Sequence, residues 1–112
     1  MGDASHSFEA YYKRATSPLA VLCLLSEKTM YGYEISHAMS ERSGGRFTIA
    51  VLYPVLYRLV DQGYIREADT EVVNRRARSY YAITDEGRAY LERSLREYDE
   101  MHRAFGQILG RE

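Results

Sequence analysis

The chain has 112 residues, 46% of them hydrophobic and 28% charged, which suits one soluble domain with a single modest core. Its net charge of −1 excludes a protein that is basic over its whole surface, so any nucleic-acid contact must be local. The longest apolar run, residues 19–25, is far shorter than the about 20 residues of a membrane span, and the N-terminus lacks a signal-like apolar segment. We therefore expect a cytoplasmic protein without membrane contacts.

Two helices are predicted in the first quarter of the chain. Ser5 or Ser7 can cap a short one, and Ser17 followed by Pro18 is a stronger start signal for a second, because serine favours the N-cap and proline the first helical position. The second contains the run LAVLCLLS, which is apolar almost all round and typical of a central core helix. Cys23 lies inside this run and is predicted to be a small core residue.

Two further helices are predicted on either side of the Gly44-Gly45 turn. The first covers about residues 31–42, with its apolar side chains on one face. The second covers about residues 50–62: Pro54 lacks an N–H and must lie in its first turn, and Gly63 can end it in a left-handed conformation. An inward apolar stripe follows from the spacing of Leu52, Val55, Leu56 and Leu59.

The second half of the chain predicts two short strands and a long helix. The strands are expected at about residues 64–67 and 79–83, joined by a loop of about a dozen residues. The helix is expected at about residues 85–109 with Thr84 as its N-cap. This order predicts a mainly α fold with a small β-hairpin, a winged helix-turn-helix plus a long C-terminal dimerisation helix. Residues 1–83 would form the DNA-binding domain with a helical extension and residues 84–112 the dimerisation helix, as one compact unit.

The outward face of the third predicted helix is aromatic and basic, where an ordinary solvated face carries Lys and Glu. In a helix-turn-helix the second helix of the motif lies in the major groove of DNA. The groove-side candidates are Thr48, Val51, Tyr53, Pro54, Tyr57 and Arg58. Packing of Tyr53 and Tyr57 against neighbouring residues is an equally good interpretation of these two positions.

A second DNA-contact candidate is the loop between the predicted strands. It carries Arg75, Arg76 and Arg78 without an intervening acid. At the tip of a wing these arginines would lie along the minor groove and neutralise phosphates. The alternative is a solvated loop, since most charged runs simply face water.

The C-terminal helix carries apolar residues at the alternating four- and three-residue spacing of a coiled-coil seam. Such a helix is longer than a small core needs, which predicts a homodimer, with aromatic residues of the N-terminus adding to the interface. The predicted interface consists of Phe8, Tyr11, Tyr12, Leu91, Leu95, Tyr98, His102, Phe105 and Leu109. The alternative is a stripe that packs within its own subunit.

Catalytic and metal sites have little support in the sequence. His6, His37 and His102 are widely separated, and the pair Asp99 and His102 on one helix is more typical of an incidental surface arrangement. Nucleophile motifs, phosphate-binding glycine loops and paired acid/base carboxylates are also missing. The chain is therefore predicted to be no enzyme and to need no metal or other cofactor.

Three segments together resemble the PadR-like transcriptional regulators. They are LLSEKTMYGYEI at residues 24–35, LYPVLYRL at 52–59 followed by QGYI, and RSYYAITDEGRAYL at 78–91. Their order is specific, and the resemblance covers about residues 16–91. The single C-terminal helix is similar to the compact branch of that family.

The resemblance implies a winged helix-turn-helix homodimer that represses transcription from a palindromic operator and is released by a small, often aromatic, effector. It also implies that Tyr31 and Gly32 open the second helix of the DNA-binding domain at the DNA backbone and that Tyr53 is the tyrosine of the recognition helix. A pocket near the dimer centre is guessed at Phe8, Tyr12, Tyr98, His102 and Phe105.

Two positions depart from the family pattern. Many members have Gly followed by Ser or Thr before the Leu-Tyr pair, whereas this chain has Ala50 and Val51. The tryptophan that some compact members use to stack ligands is missing too. The missing Ser or Thr and the net charge leave an alternative open, a winged-helix protein-interaction module without DNA binding.

Overall fold

The computed structural model describes residues 6–48 and 52–111. The elements in chain order are α1 (Phe8–Glu27), β1 (Met30–Tyr31), α2 (Gly32–Arg42), α3 (Leu52–Asp61), β2 (Ile65–Val73), β3 (Arg76–Ile83) and α4 (Asp85–Leu109). The strands form one antiparallel sheet in the order β1-β3-β2. Three helices, a β-hairpin and a long last helix confirm the predicted fold class, a winged helix-turn-helix with a C-terminal helical addition.

Helix α1 differs from the prediction, because one continuous helix replaces the two expected here. Ser7 caps it by accepting a hydrogen bond from the backbone N–H of Ala10 at 3.0 Å, whereas Ser17 and Pro18 lie inside it. Proline removes one helical N–H donor. The Ser17 hydroxyl donates to the Lys13 carbonyl at 2.5 Å, and burial of the apolar residues that follow offsets the missing bond. Because α1 is continuous, the N-terminal aromatic residues lie on the same helix as the core residues.

The core is one cluster that every helix and the sheet help to build. Helices α1 and α3 supply most of it, and α3 buries the predicted stripe. Cys23 packs against the cluster, and burial raises the pKa of its thiol, with a smaller contribution from Glu27. The buried apolar residues are Val21, Leu22, Leu24, Leu25, Met30, Ile35, Leu52, Val55, Leu56, Leu59, Ile65, Tyr81 and Leu91.

The wing is a longer and tighter hairpin than predicted. Strands β2 and β3 pair from Ile65–Ile83 to Val73–Arg76, so Asn74 and Arg75 alone form the turn. Both have positive φ, 51° and 66°, the geometry of a two-residue turn that matches strand twist. The expected loop of about a dozen residues is therefore wrong. Strand character was hidden because both faces of this segment are largely exposed, so its sequence lacks an apolar-polar alternation.

Helix α4 begins where predicted and is anchored to the base of the wing. The Thr84 side chain accepts from the Gly87 N–H at 3.0 Å and donates to the Gly63 carbonyl at 2.6 Å. At the other end, Gly110 adopts a left-handed conformation with φ 74° and closes the helix. The Cα radius of gyration is 15.8 Å, larger than the about 13 Å of a compact domain of this length. Much of α4 therefore extends beyond the core.

Candidate nucleic-acid interface

Helix α3 presents two tyrosines on its outer face. Its apolar stripe faces the core, while Tyr53 and Tyr57 remain 47% and 62% exposed with their rings 6.2 Å apart. Pro54 and Arg58 are exposed on the same helix. The face predicted to enter the major groove is therefore the face that the core leaves open.

Tyr53 lies against the first residue of α2. A Cβ atom on Gly32 would stand 2.6 Å from the Tyr53 hydroxyl oxygen, so the absence of a side chain at Gly32 permits this approach. Next to it, the backbone N–H of Tyr31 donates to the Glu34 carboxylate at 3.2 Å and thereby caps the helix. The start of α2 and the outer face of α3 thus form one continuous surface.

An open groove of about 560 Å³ joins this surface to the wing. Six of the predicted DNA-contact residues line it: Tyr31, Gly32, Tyr53, Tyr57, Arg76 and Arg78. The groove brings together residues that lie far apart in the sequence, because β3 runs alongside β1 and passes the start of α2.

Arg78 on β3 packs against an aromatic ring. The guanidinium carbon of Arg78 lies 4.7 Å from the centre of the Tyr31 ring, a cation–π distance. The rings of Tyr80 and Tyr31 pack in a T-shaped arrangement, with their centres 5.4 Å apart and their planes at 70°. The Tyr80 hydroxyl donates to Glu71 at 2.7 Å, and this hydrogen bond is the main cause of the raised pKa of Tyr80.

Other predicted residues lie outside the groove lining. Thr48 borders a separate hollow of about 220 Å³ beside α2. Arg75 occupies the wing turn, one residue before β3. Val51 lies outside the described residues, as does its neighbour Ala50. The predicted contact residues are thus divided between the groove, the wing tip and the exposed remainder of α3.

Sequence reasoning missed several groove residues. Glu67 brings a negative charge to the lining, and Tyr33 adds an aromatic ring stacked on Tyr31 at 6.4 Å and 18°. Ala77, Ser79 and Tyr81 also border the groove. Burial raises the pKa of Tyr81, whose ring belongs to the core. The alternation of MYGYEI around the glycine was a usable signal for Tyr33, whereas Glu67 depends on the strand pairing.

A second candidate surface is formed by α1 and α4. Phe8 is 74% exposed, and Leu95, Tyr98, Phe105 and Leu109 are all exposed along one side of α4. Leu91 departs from the predicted interface, because it is buried in the core of its own chain. Met101 and Ile108 widen the exposed stripe. The apolar stripe of α4 is thus internal at its start and open to solvent along the rest of its length.

The residues guessed for an effector pocket form a partly connected aromatic row. The rings of Phe8 and Tyr12 lie 6.0 Å apart, and those of Tyr98 and His102 stack at 5.9 Å and 6°. A hydrogen bond with Tyr12 is the main cause of the raised pKa of Tyr98, so the two helices meet there. Phe105 lies further along α4 and remains exposed.

Two further observations concern residues 6–48 and 52–111. In this part of the chain, groups of three or more His, Cys, Asp or Glu side chains able to share a metal ion are absent. Nor does any helix described there combine the length and apolar character needed to cross a bilayer.

Comparison with known proteins gives a consistent result. The model of the transcriptional regulator PadR-like family matches residues 21–93. Transcriptional regulator Rv3488 of Mycobacterium tuberculosis is 32% identical over 99 residues, which cover 88% of this chain and 88% of that protein.

Solved structures agree over nearly the whole fold. A transcriptional regulator from Clostridium thermocellum matches with a TM-score of 0.79 at 28% identity, covering 87% of this chain and 96% of that one. A PadR family transcriptional regulator from Eggerthella lenta matches with a TM-score of 0.78 at 27% identity, covering 88% and 86% of the two chains. The chain therefore belongs to the PadR-like family of transcriptional regulators, which are not enzymes.

Proposed function

We propose that this regulator is a homodimeric repressor that binds a palindromic operator in double-stranded DNA through the groove between α3 and the wing. The observation that carries the proposal is the meeting of Tyr53 and Tyr57 with Arg76 and Arg78 around one open groove. Because its partner is chromosomal DNA, the repressor acts in the cytoplasm.

The division of charge in the wing supports DNA binding despite the net charge of −1. Arg76 and Arg78 on β3 line the aromatic groove, whereas Asp69 and Glu71 on β2 lie outside its lining. Among the described residues, Glu67 is the one acidic residue in that lining. Arginine forks bind phosphate oxygens and base edges, and tyrosine hydroxyls bind phosphate. A basic strand beside an exposed helix face supplies the local footprint that the overall composition does not.

Exposed apolar residues support the dimer. Ile108, near the end of α4, is 80% exposed, and Phe8 on α1 is similarly uncovered. A second copy that packs on these stripes would remove them from water and relate two recognition helices by a two-fold axis. Such dimers read half-sites about 34 Å apart along the duplex.

Release by a small aromatic effector is the regulatory part of the proposal. Tyr12 and Tyr98 join α1 to α4 at the surface proposed for the dimer, with His102 stacked beside them. An effector that prefers one arrangement of these helices changes the spacing of the recognition helices and thereby lowers operator affinity.

The test is a mobility-shift titration of the full chain with the promoter upstream of its own gene, over a range of salt concentrations. We expect a shift at low salt and a steep loss of affinity towards physiological salt, because phosphate contacts release counterions. Arg76→Ala lowers the salt slope by about one, whereas the control Arg103→Ala on α4 leaves it unchanged. If neither this promoter nor neighbouring ones shift at low salt, the protein-interaction module becomes the better assignment.

A further inference from the structure

We infer that Tyr80 keeps Arg78 available to DNA by holding the carboxylate of Glu71 away from it. The inference rests on the proposed DNA binding and assigns a positioning role to a residue that does not itself line the groove.

Strand pairing places an acidic residue directly opposite Arg78. Glu71 on β2 is the direct partner of Arg78 on β3. Directly opposed residues share a face of the sheet, with Cβ atoms about 5 Å apart, and opposite charges at such positions attract. A cross-strand ion pair is therefore the arrangement that the register alone favours, and it would neutralise the arginine.

The hydrogen bond of Tyr80 provides a different partner for that carboxylate. The Tyr80 hydroxyl donates to Glu71 Oε2 at 2.7 Å. Tyr80 can reach it diagonally because it lies two residues from Arg78, and therefore on the same face of β3, and Arg78 is the strand partner of Glu71. The Tyr80 hydroxyl thus binds a carboxylate whose own strand partner is Arg78.

Tyr31 contacts both Arg78 and Tyr80. Its face carries the Arg78 guanidinium at 4.7 Å, and it packs edge-on with the Tyr80 ring at 5.4 Å. Over the described residues, the Arg78 guanidinium takes part in no ion pair. Its N–H donors therefore lie within ion-pair distance of no described carboxylate and remain for a phosphate oxygen or a base edge at the groove.

Removing the hydroxyl tests the role directly. Tyr80→Phe keeps the ring on Tyr31 but releases Glu71 to pair with Arg78. We expect the affinity for a 30-base-pair duplex of arbitrary sequence at low salt to fall about three- to tenfold, and the salt slope to fall by about one. Adding Glu71→Gln to Tyr80→Phe removes the competing charge and restores both quantities.

Two backgrounds separate positioning from a merely structural effect. In Arg78→Ala, the further change Tyr80→Phe leaves DNA affinity unchanged, because the arginine that it protects is gone. Equal weakening by Tyr80→Phe with and without Glu71→Gln would overturn the inference, as would an unchanged salt slope in the single variant. Thermal unfolding midpoints of all variants show that the fold is retained.

A measurement without DNA keeps the inference separate from the proposed function. Exchange of the Arg78 Nε–H with water, followed by NMR on the free protein, slows in Tyr80→Phe and recovers in the double variant with Glu71→Gln. If the wild-type protein binds no duplex, the proposed function fails, and the exchange rates still decide whether Tyr80 holds Glu71 off Arg78. An unchanged rate in Tyr80→Phe overturns the inference.

Discussion

The hydroxyl oxygen of Tyr53 lies 2.6 Å from the point at which a Cβ atom on Gly32 would stand. Two ring carbons of the same tyrosine follow at 3.1 and 3.3 Å. Real Cβ atoms do not approach other atoms so closely, so the position of the Tyr53 ring depends on the missing side chain of Gly32. This contact joins the start of α2 to α3 and shapes one wall of the groove.

Gly32→Ala is expected to weaken DNA binding while leaving stability nearly unchanged. The clash involves the far end of a flexible side chain, so Tyr53 moves, and alanine in the first helical turn is favoured over glycine by up to about 1 kcal/mol. We expect affinity for the promoter duplex to fall about tenfold, with an unfolding midpoint at or above that of wild type. In a Tyr53→Ala background the same change has no further effect on affinity. Equal weakening in both backgrounds would contradict a role through Tyr53.

Gly87→Ala, in contrast to Gly32→Ala, is expected to cause a large loss of folding stability. A Cβ atom there would overlap the backbone carbonyl oxygen of Tyr64, which cannot rotate away as a side chain can. Tyr64 also accepts a hydrogen bond from Thr84 N–H at 3.0 Å, so the junction between the wing and α4 is fixed on both sides. We expect a loss of about 2–3 kcal/mol in urea unfolding. Gly32→Ala is the matched comparison, and similar losses for the two variants would refute the distinction.

The helices were predictable where their apolar spacing is regular. Leu52, Val55, Leu56 and Leu59 specify the buried stripe of α3, and Thr84 followed by two acids specifies the start of α4. The start signal at Ser17 was misleading because a proline that follows a serine can also be tolerated inside a helix with a strongly buried face. Local signals thus predict elements well and their continuity less well.

The candidate site was only partly predictable because it depends on how elements that are distant in the sequence pack together. The exposed tyrosines of α3 follow directly from helical spacing, but the groove also needs the position of β3 beside the start of α2. The two-residue strand β1 positions β3 there, with Tyr31 paired to Tyr80. A strand so short has no periodic signal, and the contacts among Tyr31, Arg78 and Tyr80 depend on it.

The wing turn offers a test of why an arginine occupies a left-handed position. Arg75 has a φ of 66°, a conformation that favours glycine. Arg75→Gly is expected to stabilise the fold by up to about 1 kcal/mol, because the left-handed conformation no longer meets a Cβ atom. The same change removes a basic group from the wing tip, so the salt slope of DNA binding falls by about one.

Arg75→Lys is the control for this prediction. It keeps the charge and the unfavourable conformation, so both stability and salt slope stay close to wild type. A gain in stability for Arg75→Gly without any change in salt slope would show that the tip of the wing does not reach phosphate.

The ion pair between Glu27 and Arg42 predicts a small pH dependence of stability. Arg42 donates two hydrogen bonds to the carboxylate, at 2.8 and 2.6 Å, and these hold the pKa of Glu27 below its ordinary value of 4.5. A carboxyl group whose pKa is lower in the folded state stabilises the fold above its unfolded pKa and loses this contribution as the pH falls through the folded pKa. Both side chains are exposed, so the effect is small.

Unfolding midpoints between pH 2.5 and 7 check this dependence. The wild type is expected to exceed Arg42→Gln at pH 7, and the difference disappears in the acid range where Glu27 is protonated. In a Glu27→Gln background, Arg42→Gln produces no pH-dependent difference. A gap between wild type and Arg42→Gln that persists at the acid end would contradict the assignment to this pair.

Phe105→Asp is expected to convert the proposed dimer into a monomer. Phe105 is exposed in the single chain and lies between His102 and Leu109 on the stripe of α4, so a charge there would be buried without a partner in a dimer. Gln107→Asp introduces the same charge two residues further along, on the opposite side of the helix, and is expected to remain dimeric. Light scattering at micromolar concentration distinguishes the two masses, and circular dichroism shows whether α4 stays helical.

A wild-type monomer, or equal masses for the two variants, would mean that these stripes do not form the interface. If the dimer dissociates as expected, operator affinity falls with it, because each recognition helix then binds its half-site alone.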